Sequence, residues 1–130
     1  MNQHIIARAA IYLLSVIMII FGVYHLQNPR NMVAFVPANL PGGINWVYFV
    51  GVVLILAAVA FILNKFVKVT AYLLALLLIV FVIVIHWPAY HDAGDVDIRR
   101  TAFIDILQNL AMAAFALHIA GSADSHGMKY

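Results

Sequence analysis

The chain has 130 residues, of which 66% are hydrophobic and 9% charged, and its mean hydropathy is +1.03. That composition lies outside the range of soluble globular domains and calls for lipid. With no cysteine, disulfide staples, thiolate nucleophiles and iron–sulfur ligation are excluded together. Although the pI is about 9.1, the seven Lys and Arg are scattered and form no basic patch, so nucleic acid is not an expected partner.

In chain order, the first apolar stretch runs from Ile5 to Tyr24 and is interrupted only by Arg8. It is longer than the apolar part of a secretory leader, about 7–15 residues, and no small-x-small cleavage pattern follows, so it reads as a span. Leu26-Gln27-Asn28-Pro29-Arg30 reads as a helix stop. The connection that follows, about His25 to Asn45, is long for a helical bundle and carries Pro29, Pro37, Pro41, Gly42 and Gly43. Within it, Asn31 to Val36 is expected to form a short interfacial turn of helix capped by Asn31, and the loop is a candidate lid.

A second span is expected over 46–63 and a third over 69–87, joined by the hinge Asn64-Lys65-Phe66-Val67-Lys68, which implies an antiparallel pair. The fourth, 102–120, is less plain because Asp105, Gln108, Asn109 and His118 interrupt it. Residues 122–130 are expected to be a flexible tail beyond a single domain over 1–121. The run Leu78 to Ile85 is rich in Val and Ile, but an open strand would leave its backbone groups unpaired in lipid, and a barrel needs shorter alternating segments. The fold class is therefore all-α: an integral membrane four-helix bundle with a long first extramembrane loop, in contact with the lipid bilayer.

Four spans place both termini beside the Lys65/Lys68 hinge. That side carries Arg8, Lys65, Lys68 and Lys129, against Arg30, Arg99 and Arg100 on the other. The small excess favours cytoplasmic termini. Trp46, Tyr48, Trp87 and Tyr90 are expected to form an aromatic belt at the opposite, external level.

This topology brings the exits of the first and third spans, His25 and His86, to the same membrane face as the entry of the fourth, near Asp105. Asp105, Gln108 and Asn109 are spaced i, i+3, i+4 and share one helix face, which in a bilayer points into the bundle. His118 is about 220° round from Asp105 and belongs to a different environment. His25, His86 and Asp105, helped by Trp87 and Asn109, are the candidate site for a polar headgroup or redox ligand. Each has an ordinary alternative: span-end histidines often bond water or a carbonyl, and Asp105 could cap its helix or pair with Arg99 or Arg100. Two histidines and a carboxylate match a non-haem iron set in type, but nothing in their spacing forces convergence, so no metal site is assigned. Haem is disfavoured because both histidines sit near the interface. Small residues, Gly51, Ala57, Ala58 and Ala60 in the second span and Ala111, Ala113, Ala114, Ala116 and Ala120 in the fourth, are expected to serve close helix packing, with a partner helix or homo-oligomer as the alternative. No self-contained catalytic motif is present, so enzyme activity is not assigned.

The order of short motifs is distinctive: Phe21-Gly22-x-x-His25, Pro29-x-x-Met32, Val36-Pro37-x-x-x-Pro41-Gly42-Gly43, Val47-Tyr48-x-x-Gly51 and His86-x-Pro88. In this the chain resembles the DoxX family of small four-helix bacterial membrane proteins, from about Arg8 to Gly121. The resemblance implies a multi-pass protein of the bacterial inner membrane. It also implies an accessory role beside quinone-linked oxidoreductases, with quinone the candidate cofactor and redox-complex subunits the candidate partners. Relatives often carry an acidic residue late in the fourth segment, where this chain has Asn109 with Asp105 one turn earlier, a departure that weakens transfer of a proton-handling role. A membrane scaffold or chaperone without a small ligand is the alternative from another class. Transport ranks last, because the third span offers no polar side chain between Ala75 and His86.

Overall fold

A computed structural model describes residues 3–33, 36, 38 and 40–123. Its elements are α1 (Gln3–Gln27), α2 (Pro29–Val33), α3 (Ile44–Ile62), α4 (Val67–Phe81), a π-helical turn (Val82–His86), α5 (Trp87–Asp92) and α6 (Val96–Ser122). Four continuous helical stretches are long and apolar enough to cross a membrane: His4–Gln27, Ile44–Ile62, Val67–Asp92 and Val96–Ser122. Between 22% and 39% of each apolar window is buried inside the protein. The remainder points outward and is apolar, as with Leu13, Ile20, Leu56, Leu73, Leu76 and Ile83, each about 60% exposed. In water that surface would drive aggregation, whereas in hydrocarbon it is the expected lipid-facing side. The fold is an all-α, four-helix membrane bundle.

Helix pairing follows side-chain size. The most intimate contacts join α1 to α3 and α4 to α6, whereas α3 and α4 meet lightly despite their short hinge. The hinge makes that pair antiparallel but does not make it the tightest. The α1–α3 crossing is set by two glycines. A Cβ on Gly22 would stand 2.8 Å from the Gly51 carbonyl oxygen, and one on Gly51 would stand 2.9 Å from the Gly22 oxygen. Since apolar area gives helices little reason to associate in lipid, such close backbone approach is where packing energy is found. The α6 alanines divide: Ala113, Ala116 and Ala120 are buried, whereas Ala111 and Ala114 face outward. The core, including Ala58, Phe61, Ala71, Ala75, Ala116 and Ile119, fills the half of the bundle nearer the hinge.

Several boundaries differ from those expected. Instead of stopping near Trp87, the third span continues through Pro88 to Asp92 by way of the π turn. Proline lacks the N–H that would bond Val84 and its ring crowds that carbonyl. The widened turn accommodates it, with the Trp87 N–H donating to the Val82 oxygen five residues back. The last span begins at Val96, earlier than expected, because Asp95 caps it by accepting from the Asp97 N–H at 2.7 Å. It runs to Ser122, and the expected tail from 124 onward lies outside the described residues. The short helix of the first loop starts at Pro29, the favoured first position, with the Asn31 N–H donating to the Asn28 oxygen. Asn31 is thus inside that helix and is not its cap, and the rest of the expected turn, Ala34 and Phe35, lies outside the described residues.

The hinge is a helix stop that the expected span already hinted at. Asn64 adopts a left-handed φ of 55°, the Lys65 N–H reaches the Ala60 oxygen, and the Asn64 N–H reaches Phe61. These are the two bonds of a Schellman ending, in which asparagine is a common stand-in for glycine.

Candidate functional site

At the end of the bundle away from the hinge, the two helix pairs stand apart and enclose a pocket of about 190 Å³. Leu54, Leu78 and Met112 wall it at mid-depth, and Phe21, Val47, Val50, Phe81 and Ile85 line its sides. Its polar wall is made by His25, His86, Asp105, Gln108 and Asn109 from three helix stretches, and Val47, Val50 and Leu54 bring in the fourth. Four of the five residues expected to share a site therefore meet. Trp87 is not among them: it is 54% exposed and lies beside Tyr90 and His91, with ring centroids about 6 Å away.

Each polar side chain is placed by a local feature. His25 is in the last turn of α1, where the absence of a side chain on Gly51 makes room, since a Cβ there would stand 3.1 Å from the Cβ of His25. His25 Nδ1 lies 2.6 Å from the Phe21 carbonyl oxygen. A carbonyl only accepts, so Nδ1 carries the hydrogen and donates it. The ordinary carbonyl-bonded role is thus fulfilled by one nitrogen while the ring still lines the pocket. His86 closes the π turn, a deformation that recurs at functional sites because it re-aims a side chain within a continuing helix.

Asp105 neither caps α6 nor pairs with an arginine. Asp95 is the cap, and Arg99 Nη2 donates to the Ala93 oxygen at 2.9 Å. Asp105 instead faces His86, with Oδ2 3.8 Å from Nδ1. That separation is an ion-pair distance but too long for a hydrogen bond. His86 Nδ1 is buried and has no hydrogen-bond partner. A buried polar atom without a partner is uncommon in a folded protein and marks a place where a ligand atom would be welcome. Asn109, one turn along α6, donates from Nδ2 to the Asp105 carbonyl oxygen at 2.7 Å. Gln108 is exposed at the pocket's edge.

Two contributors went unread in the sequence. Trp46, expected only as part of the aromatic belt, also lines the pocket, its Nε1–H donating to the Pro41 oxygen at 2.6 Å. Gly42 and Gly43, with φ of 105° and 49°, turn the chain between those two residues. The signal was Pro41-Gly42-Gly43 five residues before an indole. Val36 is the second, and through it the long first loop reaches the pocket wall. Among the described residues, no three His, Asp or Glu side chains group closely enough to hold a metal ion.

Fold and site together define a multi-pass helical membrane protein with a small, one-ended polar pocket inside its bundle. The chain belongs to the family described as domain of unknown function DUF8561, which matches residues 14–120 and so spans every polar residue of the pocket. No curated protein and no solved structure matches the chain.

Proposed function

We propose that the protein is an accessory subunit of a quinone-linked oxidoreductase of the bacterial inner membrane, and that its pocket takes the quinone headgroup. The observation that carries this reading is His86 Nδ1, buried without a partner in a pocket whose walls are otherwise largely apolar. Size supports it as well. A cavity of about 150 Å³ admits benzene, so about 190 Å³ suits one substituted ring. The DoxX resemblance supplies the redox partner class, and the excess of basic residues at the hinge side supports cytoplasmic termini with the pocket opening near the external face.

The reading is tested by native mass spectrometry of the protein extracted from its own membranes in mild detergent. A bound quinone mass or a bound redox subunit is the expected result. His86→Ala should lower quinone retention about tenfold or more, the scale of losing one or two buried hydrogen bonds; undiminished retention would remove His86 from the site. The outward-facing Ala111 and Ala114 on α6 favour a second reading, a scaffold that packs against a client helix. A stable protein partner with no small ligand in the same spectrum would select it. Transport stays last, since Leu54, Leu78 and Met112 wall the pocket at mid-depth and the buried core fills the far half.

A further inference from the structure

The hinge makes α3 and α4 neighbours, yet the two meet lightly, and an apolar groove of about 480 Å³ runs between them on the outside of the bundle. Ala57 and Leu74 form its buried floor, and Leu56, Leu73, Leu76 and Val80 its exposed rim. It shares no lining residue with the polar pocket, so its occupant is independent of the quinone reading. From this groove and the charge at its end, we infer a binding site for one acyl chain of an anionic phospholipid from the leaflet at the hinge end, its phosphate beside Lys65.

The groove is polar at one end only. Thr70, in the first turns of α4, is its sole polar lining residue, and the others are Val, Leu and Ala. That asymmetry matches an amphiphile whose head lies at the hinge and whose chain points into the membrane. Charge agrees with the direction. Lys65 is exposed in the hinge, and Lys68 in the first turn of α4 adds to the same surface charge. Among the described residues no Asp or Glu stands at this end, whereas Asp92, Asp95, Asp97 and Asp105 all belong to the other. Basic residues at the membrane surface attract anionic headgroups, and here no carboxylate of the described chain competes with them.

Length and rim decide between a lipid chain and a partner helix. The groove follows α4 from Thr70 to Val80, about 15 Å at a helical rise of about 1.5 Å per residue. That is half of a bilayer core about 30 Å thick, and it is the half nearer the hinge. A transmembrane helix would use a seam along the whole core. Helices in lipid also approach through small residues, but the small residue here, Ala57, lies on the floor behind a rim of leucines. A flexible chain passes between those leucines where a helix is held off.

The test offers the full chain in mild detergent an equimolar mixture of dioleoyl phosphatidylglycerol and dioleoyl phosphatidylcholine, and native mass spectrometry reads what stays bound. One phosphatidylglycerol per chain should be retained, about fivefold or more over phosphatidylcholine, the factor expected of one cation near an anionic headgroup. Lys65→Gln combined with Lys68→Gln should bring that preference below about twofold, and Arg30→Gln at the opposite end should leave it unchanged. Ala57→Phe, which fills the floor, should lose the lipid while still eluting as a folded species. Leu77→Phe, from the half-buried wall, serves the same purpose where the first variant does not fold. Equal retention of the two lipids overturns the proposal, as does a preference that Arg30→Gln abolishes equally. Undiminished lipid on the groove-filled protein means that it is held elsewhere and overturns the groove as its seat. A second copy of the chain retained without lipid gives the groove to a helix and overturns the proposal too.

Discussion

At Gly22 a single hydrogen in place of a side chain determines how near two helices come. A Cβ there would stand 2.5 Å from Ile55 Cγ1 and 2.8 Å from the Gly51 carbonyl oxygen, and the second contact is backbone that cannot swing aside. Gly22→Leu should therefore push α1 from α3 and destabilise the protein by about 1–3 kcal/mol, the usual cost of overpacking. Gly94→Ala, with nothing within 4 Å of its added carbon, is the matched control. Thermal unfolding in detergent, followed by loss of the monodisperse peak, should separate the two; equal melting temperatures would mean the crossing is not held by that contact. Because His25 packs over Gly51, the same widening should also weaken ligand retention.

On the scale of one element, the π turn at Val82–His86 couples stability to site geometry in opposite directions. Pro88→Ala restores an N–H able to bond the Val84 oxygen, and it removes the ring that crowds that carbonyl. The third span should then relax toward a regular α-helix, raising the melting temperature while rotating His86 away from Asp105. Protein that is more stable yet retains less quinone is the expected phenotype. Retention at the parental level would show that Pro88 only tolerates the turn and does not maintain it. Part of this was legible beforehand: His86 and Pro88 stood out as a motif closing the third span. The continuation of the helix beyond proline was not, since a proline in sequence reads as a stop, and only packing of α5 against α6 shows that the helix is supported on its far side.

For the whole molecule, the testable quantity is orientation. The chain has no cysteine, so single cysteines can be introduced without background. With cytoplasmic termini as proposed, Asp95→Cys, at the exposed cap of α6, should react with a membrane-impermeant maleimide in intact cells. Lys65→Cys in the hinge should react only after the cells are opened. The reverse pattern would put the pocket on the cytoplasmic side and overturn the proposed orientation.

The number of spans, the all-α class and the arrival of polar residues at one face were readable from the sequence because they follow from local quantities. Stretches near 20 apolar residues must be helices in lipid. An odd or even number of crossings then dictates which span ends share a face. The i, i+3, i+4 spacing of Asp105, Gln108 and Asn109 needs only the helical repeat. What the sequence left open depends on long-range distances. The pairing of α1 with α3 turns on backbone approach at Gly22 and Gly51, and the departure of Trp87 from the pocket turns on a helix that continues through Pro88. The direction of each hydrogen bond in the pocket rests on side-chain geometry that no spacing rule specifies. Sequence alone thus determined that this chain lives in a membrane and carries its polar groups near one face. The tertiary structure alone decided that those groups enclose a ring-sized pocket, because only the packing of the two helix pairs sets the space between them.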